Sequence, residues 1–336
     1  MITKINMINY EDKGGPQMSR LIEMIETAET IAVLGHIHPD GDCVGSCLAV
    51  CNYIREQYPE KVVQVYLEKP PVKFNYLKYF DEICQDAHTG KTYDLCICLD
   101  SAALDRLGEF AAYLDSAQAS ICLDHHVTNS GYAQENFVLE ASSASEVVYG
   151  FLDLDKISKE TAECIYTGIL HDTNVFKNSN TTEHTMEVAG KMMSKGINFA
   201  KIIDESFYRK TYVQNQILGR ALLESVVFLH GTCIFSVVRR RDMEFYGVES
   251  TDLDGIVDQM RITEGVEVAI FLYEIENHVF KVSMRSNNYV NVSKVAAYFG
   301  GGGHIRASGC TMNGSVHDVI NNLSGQIEAQ MKEHKS

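Results

Sequence analysis

The sequence is short of positive charge. Lys and Arg number 29 against 45 Asp and Glu, a formal net charge of −16 over 336 residues. Gripping a long phosphate backbone takes clustered cations that displace counterions, so long duplexes are poor candidates for a partner. A short anionic ligand is not excluded, because bound metal ions and a few local donors can supply the positive field. The ten cysteines include no CxxC pair, which argues against a structural zinc site. No apolar run approaches the roughly 20 residues that span a bilayer, and no basic segment followed by an apolar core opens the chain. The expectation is a cytoplasmic protein with no membrane partner. Internal repeats and low-complexity tracts are also missing, apart from the four glycines Gly300–Gly303.

What is present fits a folded enzyme of two domains, since 336 residues exceed the usual reach of one hydrophobic core. Short apolar runs at Ile31–Gly35, Val62–Leu67, Leu95–Leu99 and Ser120–Leu123 alternate with helical periodicity at Val44–Tyr58 and Ser145–Leu154. That alternation predicts an α/β fold with a parallel, helix-covered sheet, in which ligands sit beyond the carboxyl ends of the strands. From Thr161 to Leu223 the pattern is mostly helical, and the polar stretch Arg209–Arg220 reads as a connector, with a boundary near residue 220. Runs at Cys233–Val238, Val266–Tyr273 and Val279–Met284, a helix at Val292–Tyr298, the glycine cluster and a terminal helix predict a smaller α+β domain. The expected division is 1–205, a helical linker 206–225, and 226–336. The cysteines lie mostly in apolar runs and read as reduced core residues; Cys43, Cys47 and Cys51, four apart, share a helix face.

Three of the early runs end in acidic or histidine clusters: His36, His38, Asp40 and Asp42; then Asp100; then Asp124, His125 and His126. His171-Asp172 follows in a helical segment. Imidazole and carboxylate without thiolate suit a hard-to-borderline divalent ion. Two such ions held about 3.5–4 Å apart repel, and adjacent anionic ligands offset that repulsion. Asp100, at the end of a fully apolar run, is placed to serve both. Alone, each motif also has a structural reading: HPDGD as a turn, Asp100 as a helix cap. Ser142, Ser143 and Ser145 read as caps rather than nucleophiles. Four consecutive glycines are costly in entropy and imply a close approach to that backbone, either by a phosphate or in a tight helix stop.

In this order, GHIHPDGDCVGS, CLDSA, LDHHVTN and GILHDTNVF resemble the motifs of the DHH phosphoesterase family, and MRSNNYVNVSKVAAYFGGGGHIRASG resembles its DHHA1 substrate-binding domain. The resemblance spans nearly the whole chain. It implies an N-terminal DHH domain and a C-terminal DHHA1 domain. It further implies two divalent metal ions, manganese ahead of magnesium or cobalt. His36, Asp40 and Asp100 would hold one ion and Asp42, Asp100, His125 and Asp172 the other. Asp100, Asp42 and His126 would be catalytic, with His126 facing phosphate and Asp124 orienting a ligating histidine. Arg285, Ser286, Gly302, Gly303, His304 and Ser308 would join His126 in contacting substrate. His38 and His171 depart from the commoner family pattern and read as ordinary polar or packed histidines.

Acidic charge and a small second domain resemble the stand-alone nanoRNase type. Its substrates are oligonucleotides of a few residues, linear dinucleotides and 3′-phosphoadenosine 5′-phosphate. A homodimer is compatible with this reading. A family II inorganic pyrophosphatase, a processive RecJ-like exonuclease and a nucleotide-sensing module without catalysis are the alternatives. The GGGGH segment argues against the first, the short acidic chain against the second, and the filled ligand positions against the third.

Overall fold

The computed structural model describes residues 5–8, 16–87 and 90–335. They form two compact units, the first running to Arg209 and the second beginning at Lys210. In the first, β1 (Ile5–Ile8), β2 (Thr30–Leu34), β3 (Val62–Tyr66), β4 (Leu95–Leu99), β5 (Ala119–Asp124) and β6 (Glu135–Leu139) make one sheet, in the order β1-β6-β5-β4-β2-β3. Every neighbouring pair is parallel. Parallel neighbours cannot be joined by tight turns, and three of the connections between strands carry an α-helix. Between strands lie α1 (Pro16–Thr27), α2 (Gly41–Gln57) and α3 (Ala111–Ser116), and after β6 come α4 (Ala144–Phe151), α5 (Lys159–Asp172), α6 (Glu183–Ser194) and α7 (Phe199–Ile203).

Alternation along the strands splits the core into two layers. Ile31, Val33, Ile97, Leu99, Ile121 and Leu123 pack towards α2, α4 and α5. Ala32, Leu34, Cys96, Cys98 and Cys122 pack with Tyr66, Tyr93, Phe110 and Tyr113 on the other side. Each fully buried Leu, Ile or Phe contributes on the order of 1.5–3 kcal/mol. All ten cysteines are free and nine are buried, as core residues should be. Helices α2 and α5 approach so closely at Gly45 that a Cβ there would lie 2.6 Å from the Cys164 carbonyl oxygen. Strand β2 lies between β3 and β4, so the chain leaves β2 in one direction and passes back across it to reach β4. The loops after β2 and β4 therefore diverge, opening the crevice in which such sheets bind ligands.

Strands β1 and β6 were not legible as apolar runs: β6 opens with Glu135 and Asn136, and Asn136 is buried through its own hydrogen bonds with Ala133. Among the described residues no helix is long and apolar enough to cross a membrane.

The second unit comprises α8 (Tyr212–Leu223), β7 (Val226–Phe228), β8 (Cys233–Val238), α9 (Arg240–Tyr246), α10 (Ile256–Arg261), β9 (Val268–Glu276), β10 (Val279–Ser286), α11 (Val292–Tyr298), β11 (Gly302–His304), β12 (Ala307–Asn313) and α12 (Val316–Lys335). Its sheet runs β11-β12-β10-β9-β8-β7, with β8 and β9 parallel and the other pairs antiparallel. One face is covered along its length by α11 and α12, which bury Val282, Met284, Cys310 and Met312. On the other, α8 and α10 cover β8 and β9, burying Ile234, Ala269 and Phe271, and α10 also reaches β10. Beyond them β10, β12 and β11 present Lys281, Thr311 and His304 exposed, with Ser283, Arg285, Ala307 and Gly309 half-buried.

The stretch 206–225, expected as a linker, is not one. Ser206 is buried in the first unit, and α8 packs Ile217 and Ala221 into the second, with Val213, Leu218 and Leu222 against the same cluster. An apolar stripe lay hidden among its polar residues, and the division falls at Arg209, earlier than 220.

Candidate metal centre

Four chain segments deliver His and Asp to the crevice at the ends of β2, β4 and β5. After β2 the chain turns at Gly35, where a Cβ would meet Cys43 Sγ at 2.4 Å. His36 follows, buried, its Nδ1 2.8 Å from the Ile37 carbonyl oxygen and its Nε2 3.3 Å from Asp100 and 3.8 Å from Asp40. Asp40 caps α2, accepting from the Asp42 and Cys43 amides at 3.0 and 3.1 Å. Burial opposes a charge on each of these side chains. Even so, the carboxylates hold His36 above its ordinary pKa, and bonding to His36 holds Asp40 down at about 2.

Asp100 ends β4 in the left-handed region, at φ 53°, which is costly for any residue but glycine and least so for Asp and Asn. It is 3% exposed. Its two oxygens face different histidines: Oδ2 lies 3.3 Å from His36 Nε2, and Oδ1 lies 3.5 Å from His125 Nε2. His125 Nε2 is also 3.6 Å from Asp172, the last residue of α5. Although burial opposes it, bonding to Asp100 pushes His125 up to about 10. Burial first, then Asp100 and Asp40, pushes Asp172 up to about 6 against the pull of His125.

Asp42 completes this second group, with one oxygen within 4.8 Å of donor atoms of His125 and Asp172. It is fully buried and accepts the Ala144 and Ser145 amides at 2.6 and 2.9 Å, so the N-terminus of α4 fixes its orientation. Burial, Asp100 and Asp172 all raise its pKa. Room for it depends on Gly168: a Cβ there would lie 2.5 Å from Asp42 Oδ1 and 1.8 Å from Ser145 Oγ. Ser143 caps α4 and Ser142 bonds Glu146, roles that leave neither a nucleophile.

The donors thus form two groups that share Asp100: His36 and Asp40 on one side, His125, Asp42 and Asp172 on the other. All six expected ligand residues are brought together. Histidine nitrogens held against carboxylate oxygens, with the thiol of Cys43 pushed up by burial and so kept protonated, are a donor set for hard-to-borderline divalent cations. The cluster fits a metal centre.

The roles within DHH divide differently from expectation. Asp124 does not orient the side chain of His125. Its Oδ1 accepts from His126 Nδ1 at 2.8 Å and from only the backbone amide of His125, while Oδ2 accepts from Asn129 at 2.7 Å. The Asp124 hydrogen bond, working against burial, raises the His126 pKa. The ring is half-exposed, and its Nε2 has no partner among the described residues. Asn129, which also bonds the Ser101 carbonyl and the Gly131 amide, escaped the sequence reading because it acts through the acid it holds.

His38 and His171 lie outside both groups. His38 turns outward onto Glu68. The ring of His171 packs beneath Gly41, against Phe74 and Phe207, bonded to Ser206 Oγ at 3.0 Å, and burial lowers its pKa to about 3.

In the second unit the register sorts the six expected contacts. Arg285 and His304 both oppose Ala307, so they share the open face, about 10 Å apart across two strand spacings. Arg285 is paired with Asp258 at 3.0 Å. Gly302 opposes Gly309 on that face. Ser286 and Ser308 point the other way, buried, their hydroxyls donating to the Val290 and Val292 carbonyls at 2.7 Å. They hold the fold and cannot reach a ligand there. Gly303 opposes Ser308, where a Cβ would lie 2.7 Å from its Cα. The glycine run is no open anion nest, since Gly300 and Gly301 donate to Ala297 and Ala296 to stop α11 while Gly302 and Gly303 form the edge strand β11.

With this geometry established, comparisons identify its relatives. The family model "DHH family, N-terminal domain" matches residues 30–169, and that of the DHHA1 domain matches residues 231–333. The chain is 27% identical to the bifunctional oligoribonuclease and PAP phosphatase NrnA of Bacillus subtilis (strain 168), over 94% of this chain and 99% of that protein. Against the protein of the same name from Thermus thermophilus it is 29% identical, over 90% of this chain and 91% of that protein. The crystal structure of an exopolyphosphatase-related protein from Bacteroides fragilis has the same fold, with a TM-score of 0.84 at 24% identity, covering 95% of this chain and 98% of that one.

Proposed function

Because the chain belongs to the DHH family, with a DHHA1 domain after its DHH domain, we propose that it is a metal-dependent phosphodiesterase that hydrolyses very short oligonucleotides and linear dinucleotides to mononucleotides. The observation that carries this reading is Asp100, whose two oxygens face two separate groups of nitrogen and oxygen donors. Relatives named as oligoribonuclease and PAP phosphatase support the substrate class, and 3′-phosphoadenosine 5′-phosphate is a further expected substrate.

His36, Asp40 and Asp100 would hold one divalent ion and Asp42, Asp100, His125 and Asp172 the other, manganese being the expected metal. Bound there, the ions supply charge that draws electrons from the phosphoryl oxygens and acidifies water. The chain's own part is positional. Backbone amides of α4 lock Asp42, the left-handed turn aims Asp100, and Asp124, by accepting from His126 Nδ1, fixes the ring that would face a phosphoryl oxygen. Arg285, His304 and the low ridge of Gly302 and Gly309 form the surface proposed to take the nucleotide.

Hydrolysis adds water across the phosphodiester, with the new O–P bond replacing the P–O bond to the departing nucleoside. The test is release of AMP from a linear diadenylate, with and without Mn²⁺. Metal-dependent release that Asp100→Asn abolishes is expected. Saturable binding without turnover would instead support a sensing module.

A further inference from the structure

The first unit contains four arginines, at 20, 55, 106 and 209. Three are neutralised: Arg20 by Glu23 and Glu135, Arg55 by Glu82, and Arg209 by Glu205. Arg106 is different. It is exposed, and among the described residues no carboxylate pairs with it, although it stands at the edge of a cluster of aspartates. Its Nη2 lies 3.2 Å from His36 Nδ1.

That contact does not satisfy the guanidinium. His36 Nδ1 is 2.8 Å from the Ile37 carbonyl oxygen, which can only accept, so Nδ1 carries the hydrogen and has no lone pair to offer. A guanidinium N–H facing an imidazole N–H is two donors without an acceptor. The position is nevertheless fixed. The Arg106 carbonyl accepts the Ile37 amide at 2.7 Å, and Gly108, at φ 57°, turns this segment so closely against Ile37 that a Cβ would meet its Cγ2 at 2.7 Å. The backbone thus holds an unsatisfied cation beside the donor group of His36 and Asp40.

We propose that Arg106 is a substrate-phosphate anchor of this site, a forked donor awaiting an anionic oxygen. The inference rests on the reading of the site as a phosphodiesterase. Its backbone hydrogen bond does not depend on the side chain, so Arg106→Ala and Arg106→Lys should keep the loop in place.

The experiment compares wild type with both variants in Mn²⁺-supported hydrolysis of a 5′-phosphorylated diadenylate, and measures Mn²⁺ affinity by calorimetry. A charge-assisted anchor predicts a KM raised about 10- to 100-fold in Arg106→Ala, with kcat nearly unchanged and partial recovery in Arg106→Lys. Mn²⁺ affinity should not change. An unaltered KM would overturn the proposal. So would a loss of Mn²⁺ affinity matching the loss of activity, since Arg106 would then merely prop His36. An inert wild type would remove the phosphodiesterase reading and the anchor with it, whereas an active wild type with insensitive variants removes only the anchor.

Discussion

In the first unit three acids at or beside the candidate metal centre are fixed by hydrogen bonds: Asp40 by the start of α2, Asp42 by the start of α4, Asp124 by Asn129 and His126. In the second, Arg285 and His304 stand on a half-covered sheet, with Asp258 paired to the arginine. Their backbones differ in the same sense. At the candidate metal centre, side-chain-bearing residues occupy the left-handed region: Asp100, and then Asn174, Val175 and Phe176, which begin two residues after Asp172. In the second unit glycines take that role beside the open face, at Gly300 and Gly303. A site that must hold like charges together stores strain in a rigid frame, whereas a surface that receives variable nucleotides has no such need.

Breaking the rigid side should have the larger effect. Asp100→Asn keeps the shape and tolerates the turn, but removes the charge both donor groups share. Turnover should fall by at least about a thousandfold with the melting temperature little changed. Near-normal steady-state rates would refute the shared-ligand assignment. Gly168→Ala should follow, because its methyl group occupies the space of Asp42 and Ser145. A loss of about 1–3 kcal/mol in denaturant unfolding is expected, together with weakened Mn²⁺ binding. Full Mn²⁺ affinity would mean that Asp42 is not a ligand.

On the open side, Arg285→Ala or His304→Ala should raise KM for a dinucleotide about tenfold with kcat nearly kept, since uniform binding is what is removed. A falling kcat at constant KM would assign these residues to the chemistry instead. The smallest expected effect concerns pH. His171 is neutral in the fold, its pKa lowered by burial to about 3. Unfolded, it takes up a proton near pH 6.5, so the unfolded state binds more protons between these values and stability falls as pH drops below about 6.5. Replacing it by Gln should flatten that part of the stability profile; an identical slope would exclude His171 as its source.

Much of this architecture could be read from the chain. Leu95–Leu99 is apolar enough to mark a central strand, and the clusters that follow such runs mark the crevice. The clustering of these acids and histidines was legible because each sits near the end of a strand or helix. What escaped was the assignment of partners. Asp124 and His126 form a pair because Asn129 folds back onto the same carboxylate, a contact that spacing does not encode. Ser286 and Ser308 read as ligand contacts because strand register, which decides the face, is invisible until the hairpins close. The helix α8 passed for a linker because Ile217 and Ala221 are its only fully buried residues.

The central claim, that a rigid metal centre serves short nucleotide substrates, is tested most directly by kcat/KM with Mn²⁺ across oligonucleotides from two residues to about twenty-five, alongside pyrophosphate. The account predicts a sharp decline beyond roughly five residues, because an acidic chain offers no cationic track for a longer backbone, and little activity on pyrophosphate. Efficiency that is flat or rising with length, or greatest for pyrophosphate, would contradict it.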